Sequence, residues 1–113
     1  MRHFSVEFES IGGNVIIKLA GELDANTCVI ANQKFEEALS VSKKRVLIDC
    51  TDLLYVSSAG LGVFIATYQA CNQQEVPLIL YSVRPKVLNV FEILGLEKLL
   101  NIKTSLEEAL AVR

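Results

Sequence analysis

The sequence predicts an α/β fold, namely a small mixed and mainly parallel sheet with an N-terminal hairpin and flanking helices. Short apolar runs alternate with helical patterns, which is typical of strands joined by crossover helices. Near the start, two strand-like segments are separated by the turn Gly12-Gly13-Asn14, which indicates a hairpin. The chain of 113 residues is 51% hydrophobic and 21% charged, enough apolar material for a packed core. We therefore expect residues 1–113 to form a single domain.

The first predicted helix follows the hairpin. Apolar and polar residues alternate from Phe4 to Phe8, the period of a half-buried strand, and residues 15–19 form the returning strand. Asp24 or Asn26 is then placed to cap a helix. The apolar stripe of this helix consists of Cys28, Ala31, Phe35, Ala38 and Leu39.

The middle of the chain predicts two buried strands and the helix between them. The nearly continuous apolar run 46–50 suits a central strand that is covered on both faces. We expect a loop over 51–56, a helix that opens at 57–60, and a further buried strand at 77–81. The buried stripe of the helix is predicted to be Leu61, Phe64, Ile65, Tyr68 and Cys71.

Two more helices and an edge strand are predicted near the end. Pro85 suits the first position of a helix, and Gly95 suits its end. The apolar side of this helix contains Val87, Leu88, Phe91 and Leu94. Residues 99–102 form a short edge strand, and Ser105 with Glu108 has the spacing of a capping box for a terminal helix.

Two of the predicted loops come together at one edge of the sheet. Right-handed crossovers place the segments 21–24 and 51–60 at the carboxyl ends of their strands. In open α/β sheets this edge carries function. We therefore expect the functional residues to lie at this edge.

Composition excludes several classes of function. The formal net charge is −2, whereas neutralising nucleic-acid phosphates needs clustered Lys and Arg, so we expect no direct nucleic-acid binding. The chain starts without a secretory h-region, and the long uncharged stretch near its middle is broken by polar residues, so we expect a cytoplasmic protein without a membrane segment.

Cys28, Cys50 and Cys71 are expected to be reduced, buried thiols. With no CxxC motif and the single histidine His3, we expect neither a metal nor a cofactor.

The segment Ser57-Ser58-Ala59-Gly60-Leu61-Gly62 is the most informative in the chain. Two hydroxyls lie at a helix start, where free backbone N–H groups and the helix dipole favour an anion. Small residues in the first turn leave the backbone open to close approach by another surface. The simpler alternative is an N-cap followed by glycines that pack against a strand.

The same segment does not support catalysis. A nucleophile elbow needs Gly-x-Ser-x-Gly and a later histidine, but Val56 stands two residues before Ser58, and His3 precedes both. A phosphate-binding loop is excluded because there is no GxxxxGK[ST], and Ile65 occupies the place of the third glycine of GxGxxG. We therefore expect that the chain is not an enzyme.

An ordered set of motifs resembles the STAS-domain anti-sigma factor antagonists. The set comprises Gly21-Glu22-Leu23-Asp24 after a strand, the strand 46–50, and Val56-Ser57-Ser58-Ala59-Gly60-Leu61-Gly62-Val63. The likeness continues through Pro85, Phe91, Leu94-Gly95-Leu96 and the final helix, so it covers nearly the whole chain.

This resemblance implies a STAS-like fold and a mechanism of partner switching. The unphosphorylated antagonist binds an anti-sigma factor that is also a serine kinase, and a sigma factor is thereby released. The kinase uses ATP to phosphorylate the antagonist at the start of the second helix, and a metal-dependent serine phosphatase restores the binding form. The family's phosphorylated serine falls on Ser58 and its partner-contacting aspartate on Asp24. The partner-binding residues are then Asp24, Ser57, Ser58, Ala59, Gly60, Leu61 and Gly62.

The chain departs from the family at one position of this motif. Many members have Asp directly before the phosphorylated serine, where this chain has Ser57. Its hydroxyl can cap the helix but adds no charge, which leaves open both the match to a particular kinase and modification of Ser57 itself. Two alternatives also use the STAS fold: a sensor of a small ligand (a nucleotide or a lipid) and a scaffold subunit of a signalling complex.

Overall fold

Five strands and four helices make up the part of the chain that the structure, a computed structural model, describes: residues 4–41 and 44–112. His3 lies outside these residues. The strands are β1 (Ser5–Ile11), β2 (Asn14–Leu23), β3 (Arg45–Val56), β4 (Leu78–Tyr81) and β5 (Asn101–Lys103). The helices are α1 (Cys28–Leu39), α2 (Ser58–Gln73), α3 (Pro85–Ile93) and α4 (Leu106–Leu110), with a short 3₁₀ helix at Leu96–Lys98.

The strands lie side by side in chain order, β1-β2-β3-β4-β5, and form one sheet. β1 runs antiparallel to β2, and every other neighbouring pair is parallel. The hairpin turns at Gly12 and Gly13, whose φ angles of +58° and +85° lie in the left-handed region that favours glycine. The mixed, mainly parallel sheet with its hairpin confirms the predicted fold class.

Alternate side chains of the strands pack on opposite faces of the sheet. On one face, Ile17, Ile48 and Leu80 are fully buried in the main core beneath α1, α2 and α3. In this core the rings of Phe64 and Phe91 meet edge to face, with centroids 5.4 Å apart. On the other face, a smaller cluster contains Leu47, Ile79, Tyr81 and, from α4, Ala109. Burial of both faces explains the continuous apolar run at 46–50.

β2 and β3 are longer than the sequence predicts. The strand predicted at 15–19 continues to Leu23, and the loop predicted over 51–56 is wrong, because these residues extend β3 to Val56. The extensions pair with each other through two register shifts, and Gly21 takes φ +96° between them. β2 and β3 therefore continue as a two-stranded ribbon beyond the end of β4.

The predicted helix starts are right for three helices and wrong for one. Pro85 begins α3, the Ser57 side chain caps α2, and the Ser105 side chain caps α4. In α1 the N-cap is Thr27, and neither Asp24 nor Asn26 occupies that position.

The predicted apolar stripes hold at their centres and fail at some ends. Ala31, Phe35 and Ala38 of α1 are buried, but Cys28 at its first position is only half-buried, so the expectation of three buried thiols is wrong for this cysteine. Leu94, which was predicted on the apolar side of α3, is 57% exposed and lies just beyond the last residue of the helix, Ile93. In α2 Thr67 is buried, since its hydroxyl donates a hydrogen bond of 2.7 Å to the carbonyl oxygen of Val63.

Candidate functional site

The site is built where β2 and β3 end and α2 begins. The last residues of the two strands, Leu23 and Val56, are register partners in the parallel pair. One residue later, the backbone N–H of Ser57 donates a hydrogen bond of 2.9 Å to the carbonyl oxygen of Leu23. The start of α2 is thus fixed directly to the end of β2, and the two segments expected at one edge of the sheet lie side by side.

The two adjacent serines have different environments. Ser57 is the N-cap of α2, and its Oγ accepts a hydrogen bond of 3.3 Å from the backbone N–H of Gly60. Ser58 is the first residue of the helix and is exposed. α2 contains no charged residue, and Ser58 lies at the positive end of its helix dipole.

The two glycines of this segment have different roles. A Cβ atom at Gly60 would lie 2.6 Å from the carbonyl oxygen of Leu23 and 2.9 Å from its Cγ, so close packing requires glycine there. Gly62 is exposed, and a Cβ built on it would have no neighbour within 4 Å. Packing against a strand therefore explains Gly60 but leaves Gly62 without a structural requirement.

The predicted partner-binding residues divide into an exposed set and a supporting set. Ser58, Ala59 and Gly62 are exposed on the first turns of α2. Gly60 and Leu61 are buried, the latter only 6% exposed and part of the main core. These two residues lie beneath the exposed residues and do not form part of the predicted partner-binding surface.

Asp24 organises the loop between β2 and α1. Its Oδ1 accepts hydrogen bonds from the backbone N–H groups of Asn26, at 2.9 Å, and Thr27, at 3.1 Å. Thr27 completes the turn, because its Oγ1 accepts from the N–H of Asp24 and lies 2.9 Å from the carbonyl oxygen of Glu22. Asp24 directly follows Leu23, so its half-buried carboxylate lies at the same edge as Ser57 and Ser58.

Large apolar side chains are exposed on the elements that meet at this edge. Leu54 and Tyr55, near the end of β3, are 40% and 49% exposed. Val29 and Ile30, in the first turn of α1, are 59% and 50% exposed. The sequence reasoning missed them, although four apolar residues in succession, 53–56, exceed what one buried face of a strand requires.

The described part of the chain offers no group of three or more His, Cys, Asp or Glu side chains that could hold a metal ion. Within those same residues, no helix combines the length and the apolar character needed to cross a membrane.

Comparison with protein families finds a match to the STAS domain over residues 5–109. An anti-sigma-B factor antagonist of Listeria monocytogenes is 34% identical over 94 residues, which cover 80% of this chain and 79% of that protein. An anti-sigma F factor antagonist of Paenibacillus polymyxa is 28% identical over 101 residues, 88% of this chain and 86% of the relative.

Solved structures share the fold over nearly the full length. An anti-sigma factor antagonist from Mycobacterium paratuberculosis superposes with a TM-score of 0.86 at 21% identity. The match covers 96% of this chain and 92% of that protein's chain. The anti-sigma factor antagonist SpoIIAA in its unphosphorylated form gives a TM-score of 0.78 at 23% identity, with 94% and 93% covered. The Bacillus cell fate determinant SpoIIAA in the phosphorylated form superposes with a TM-score of 0.71 at 23% identity, and the match covers 98% of this chain and 100% of that chain.

Proposed function

The chain belongs to the STAS domain family and, within it, to the anti-sigma factor antagonists, and we propose that phosphorylation of Ser58 switches off its binding to an anti-sigma factor. In the unphosphorylated state the chain binds an anti-sigma factor that is also a serine kinase, which releases a sigma factor. That kinase transfers a phosphate from ATP to Ser58, and a metal-dependent serine phosphatase removes it. Residues 1–113 act as one domain in the cytoplasm, and the chain itself catalyses no reaction.

The observation that carries the proposal is the difference between the two serines. The Ser57 hydroxyl is engaged as the cap of α2, whereas Ser58 is exposed in the first turn. A kinase that approaches this edge therefore meets the hydroxyl of Ser58. The structure of a related fold in a phosphorylated form, that of SpoIIAA, is consistent with such a modification.

A phosphate on Ser58 is compatible with the folded domain. It would lie at a helix start, where backbone N–H groups and the helix dipole stabilise negative charge. Since α2 contains no acidic side chain, nothing on this helix would repel the phosphate. The unfavourable effect of the modification therefore falls on the complex with the partner.

The loss of affinity on phosphorylation depends on the surface that the phosphate would alter. Phosphorylation adds about −1.5 to −2 charges at pH 7 to a face formed by Ser58, Ala59 and Gly62, which is uncharged and has little side-chain bulk. A partner that packs closely on this face would have to desolvate or displace the phosphate. A hundredfold loss of affinity needs about 2.8 kcal/mol, within the range expected for desolvating one unpaired charged group.

Asp24 supplies the charged part of the proposed docking surface. Its carboxylate lies beside the capped start of α2, at the edge where the exposed apolar side chains of β3 and α1 also lie. Charged groups at an interface set the orientation and the choice of partner more than the affinity. We therefore assign to Asp24 the selection of the anti-sigma factor.

Peptide mapping after reaction with the cognate anti-sigma factor kinase and ATP tests the proposal. We expect one phosphate per chain, on Ser58. The matched control is Ser57→Ala, which removes the cap of α2 but keeps the exposed hydroxyl of Ser58. This variant should still be phosphorylated on Ser58. Phosphate found on Ser57 of the unaltered chain would contradict the proposed switch.

A further inference from the structure

The hydroxyl of Thr27 joins two backbone groups at the end of β2. Thr27 Oγ1 accepts a hydrogen bond of 2.9 Å from the backbone N–H of Asp24 and donates one of 2.9 Å to the carbonyl oxygen of Glu22. It also lies 3.3 Å from Asp24 Oδ1, but a hydroxyl has one proton, and the shorter contact is the one with Glu22. One side chain therefore fixes the backbone on both sides of Leu23.

Thr27 does not use its side chain as an ordinary helix cap. A threonine at the N-cap position usually accepts a hydrogen bond from a backbone N–H in the first turn of the helix that follows. Thr27 is the N-cap residue of α1 and makes no such bond. Its hydroxyl bonds instead to the residues that precede the helix, so its role lies in the loop that carries Asp24.

The loop holds the Asp24 carboxylate by one of its two oxygens. Oδ1 accepts hydrogen bonds from the backbone N–H groups of Asn26, at 2.9 Å, and Thr27, at 3.1 Å. Oδ2 has no hydrogen bond with any of the described residues, and the ion pairs among those residues, which Lys18 and Lys34 form, do not include Asp24. The carboxylate thus has a fixed orientation and a charge that the described residues do not pair.

The same loop is bonded to the start of α2. Leu23, between the two backbone groups that Thr27 holds, accepts the hydrogen bond of 2.9 Å from the backbone N–H of Ser57. A shift of residues 22–24 would therefore move the Asp24 carboxylate relative to Ser58, the next residue along α2. Thr27 fixes the distance between these two parts of the proposed docking surface.

We propose that Thr27 is a positioning residue for partner binding. It holds Asp24 so that Oδ2 accepts one hydrogen bond from a positively charged donor of the anti-sigma factor, an inference that rests on the docking role proposed for Asp24. Such charge-assisted bonds are short and about twice as strong as neutral ones, and they weaken steeply when the donor and acceptor are misaligned. Without the Thr27 hydroxyl, Asp24 keeps its charge but loses the orientation that this bond needs.

A double-mutant cycle, measured by calorimetric titration of the full chain with the anti-sigma factor, tests this role. Thr27→Val removes the hydroxyl but keeps the branched shape, and it should weaken binding by about tenfold. In a chain that already carries Asp24→Ala, the same substitution should change the affinity by less than about twofold, because no carboxylate remains to be positioned. The matched control is Thr27→Ser, which retains the hydroxyl and should bind as the unaltered chain does.

Thermal unfolding of the same samples shows whether each variant is folded. Thr27→Ala removes the same bonds without placing a methyl group beside the carbonyl oxygen of Glu22, and it should behave as Thr27→Val does. Equal weakening by Thr27→Val with and without Asp24→Ala, or failure of Thr27→Ser to restore binding, would overturn the positioning role alone. Unchanged affinity of the Asp24→Ala variant would overturn the docking role of Asp24 and this inference with it. Neither result affects the phosphorylation of Ser58, which peptide mapping measures independently.

Discussion

The carbonyl oxygen of Leu23 accepts a hydrogen bond from the backbone N–H of Ser57 at 2.9 Å. The same oxygen is the atom that a Cβ at Gly60 would meet at 2.6 Å. One backbone group at the end of β2 therefore fixes the cap of α2 and also requires glycine in its first turn. Ser58 lies between these two contacts, on the outer side of a rigid helix start.

Substitution by alanine should change the free energy of unfolding in opposite directions at the two glycines of α2. Gly60→Ala forces a methyl group against Leu23 and should lower the free energy of unfolding by about 1–3 kcal/mol. Gly62→Ala meets no neighbour and should raise it by about 0.5–1 kcal/mol, since alanine favours the helix. Urea unfolding of both variants measures the difference. Equal stability of the two would contradict the close packing described at Gly60.

Ser58 variants should separate the switch from the stability of the fold. Ser58→Ala should bind the anti-sigma factor constitutively, because it cannot be phosphorylated. Ser58→Asp should bind weakly and remain folded, since a carboxylate in the first turn of a helix is stabilised by the dipole. Affinity measurements by calorimetry, with thermal unfolding of the same samples, check both statements. Full binding by Ser58→Asp together with full binding by the phosphorylated chain would rule out the mechanism.

Asp24→Asn tests docking separately from the structure of the loop. The asparagine Oδ1 can still accept the bonds from Asn26 and Thr27, so the melting temperature should change little. Loss of the charge should weaken binding of the anti-sigma factor and reduce its dependence on salt. Asp24→Ala, which also loses the turn, should lower stability as well. Unchanged affinity of the Asn variant would remove Asp24 from the docking surface.

Tyr81 should titrate later than an ordinary tyrosine. Burial, followed by the negative charge of the neighbouring Asp49, raises the pKa of its phenol from 10.0 to about 12. Because the folded state holds this proton more tightly than the unfolded state, the contribution to stability is complete below pH 10 and is lost as the pH rises toward 12. Ultraviolet titration should show a late tyrosinate step that Tyr81→Phe abolishes. A late step that persists in this variant would assign it to another tyrosine.

Much of the fold follows from local patterns in the sequence. The glycine turn, the apolar run at 46–50 and Pro85 each lead to the element that they predict, because each depends on short-range geometry. The extension of β3 to Val56 could not be predicted from local patterns. It depends on pairing with the end of β2 through two register shifts, and no local pattern encodes such a long-range contact.

The sequence predicted which residues lie at the start of α2, but it did not predict which of them cap or pack and which are exposed. The sequence places two serines and two glycines at a helix start, yet only the contacts distinguish Ser57, which caps, from Ser58, which is exposed. In the same way, only the distance to Leu23 distinguishes Gly60 from Gly62. The N-cap position of Thr27 was missed because Asp24, three residues earlier, also carries a side chain suited to a cap, and in the structure that side chain bonds to the N–H of Thr27 within the loop.

The fixed start of α2 has a consequence for how a kinase would recognise its substrate. Many phosphorylation sites lie in flexible segments that extend along the kinase cleft and are read as linear motifs. Here the hydroxyl is presented by a helix whose first turn is tied to the end of a neighbouring strand. An enzyme that modifies Ser58 would have to accept the folded domain as its substrate, and a synthetic peptide of the same sequence would lack the features that it reads.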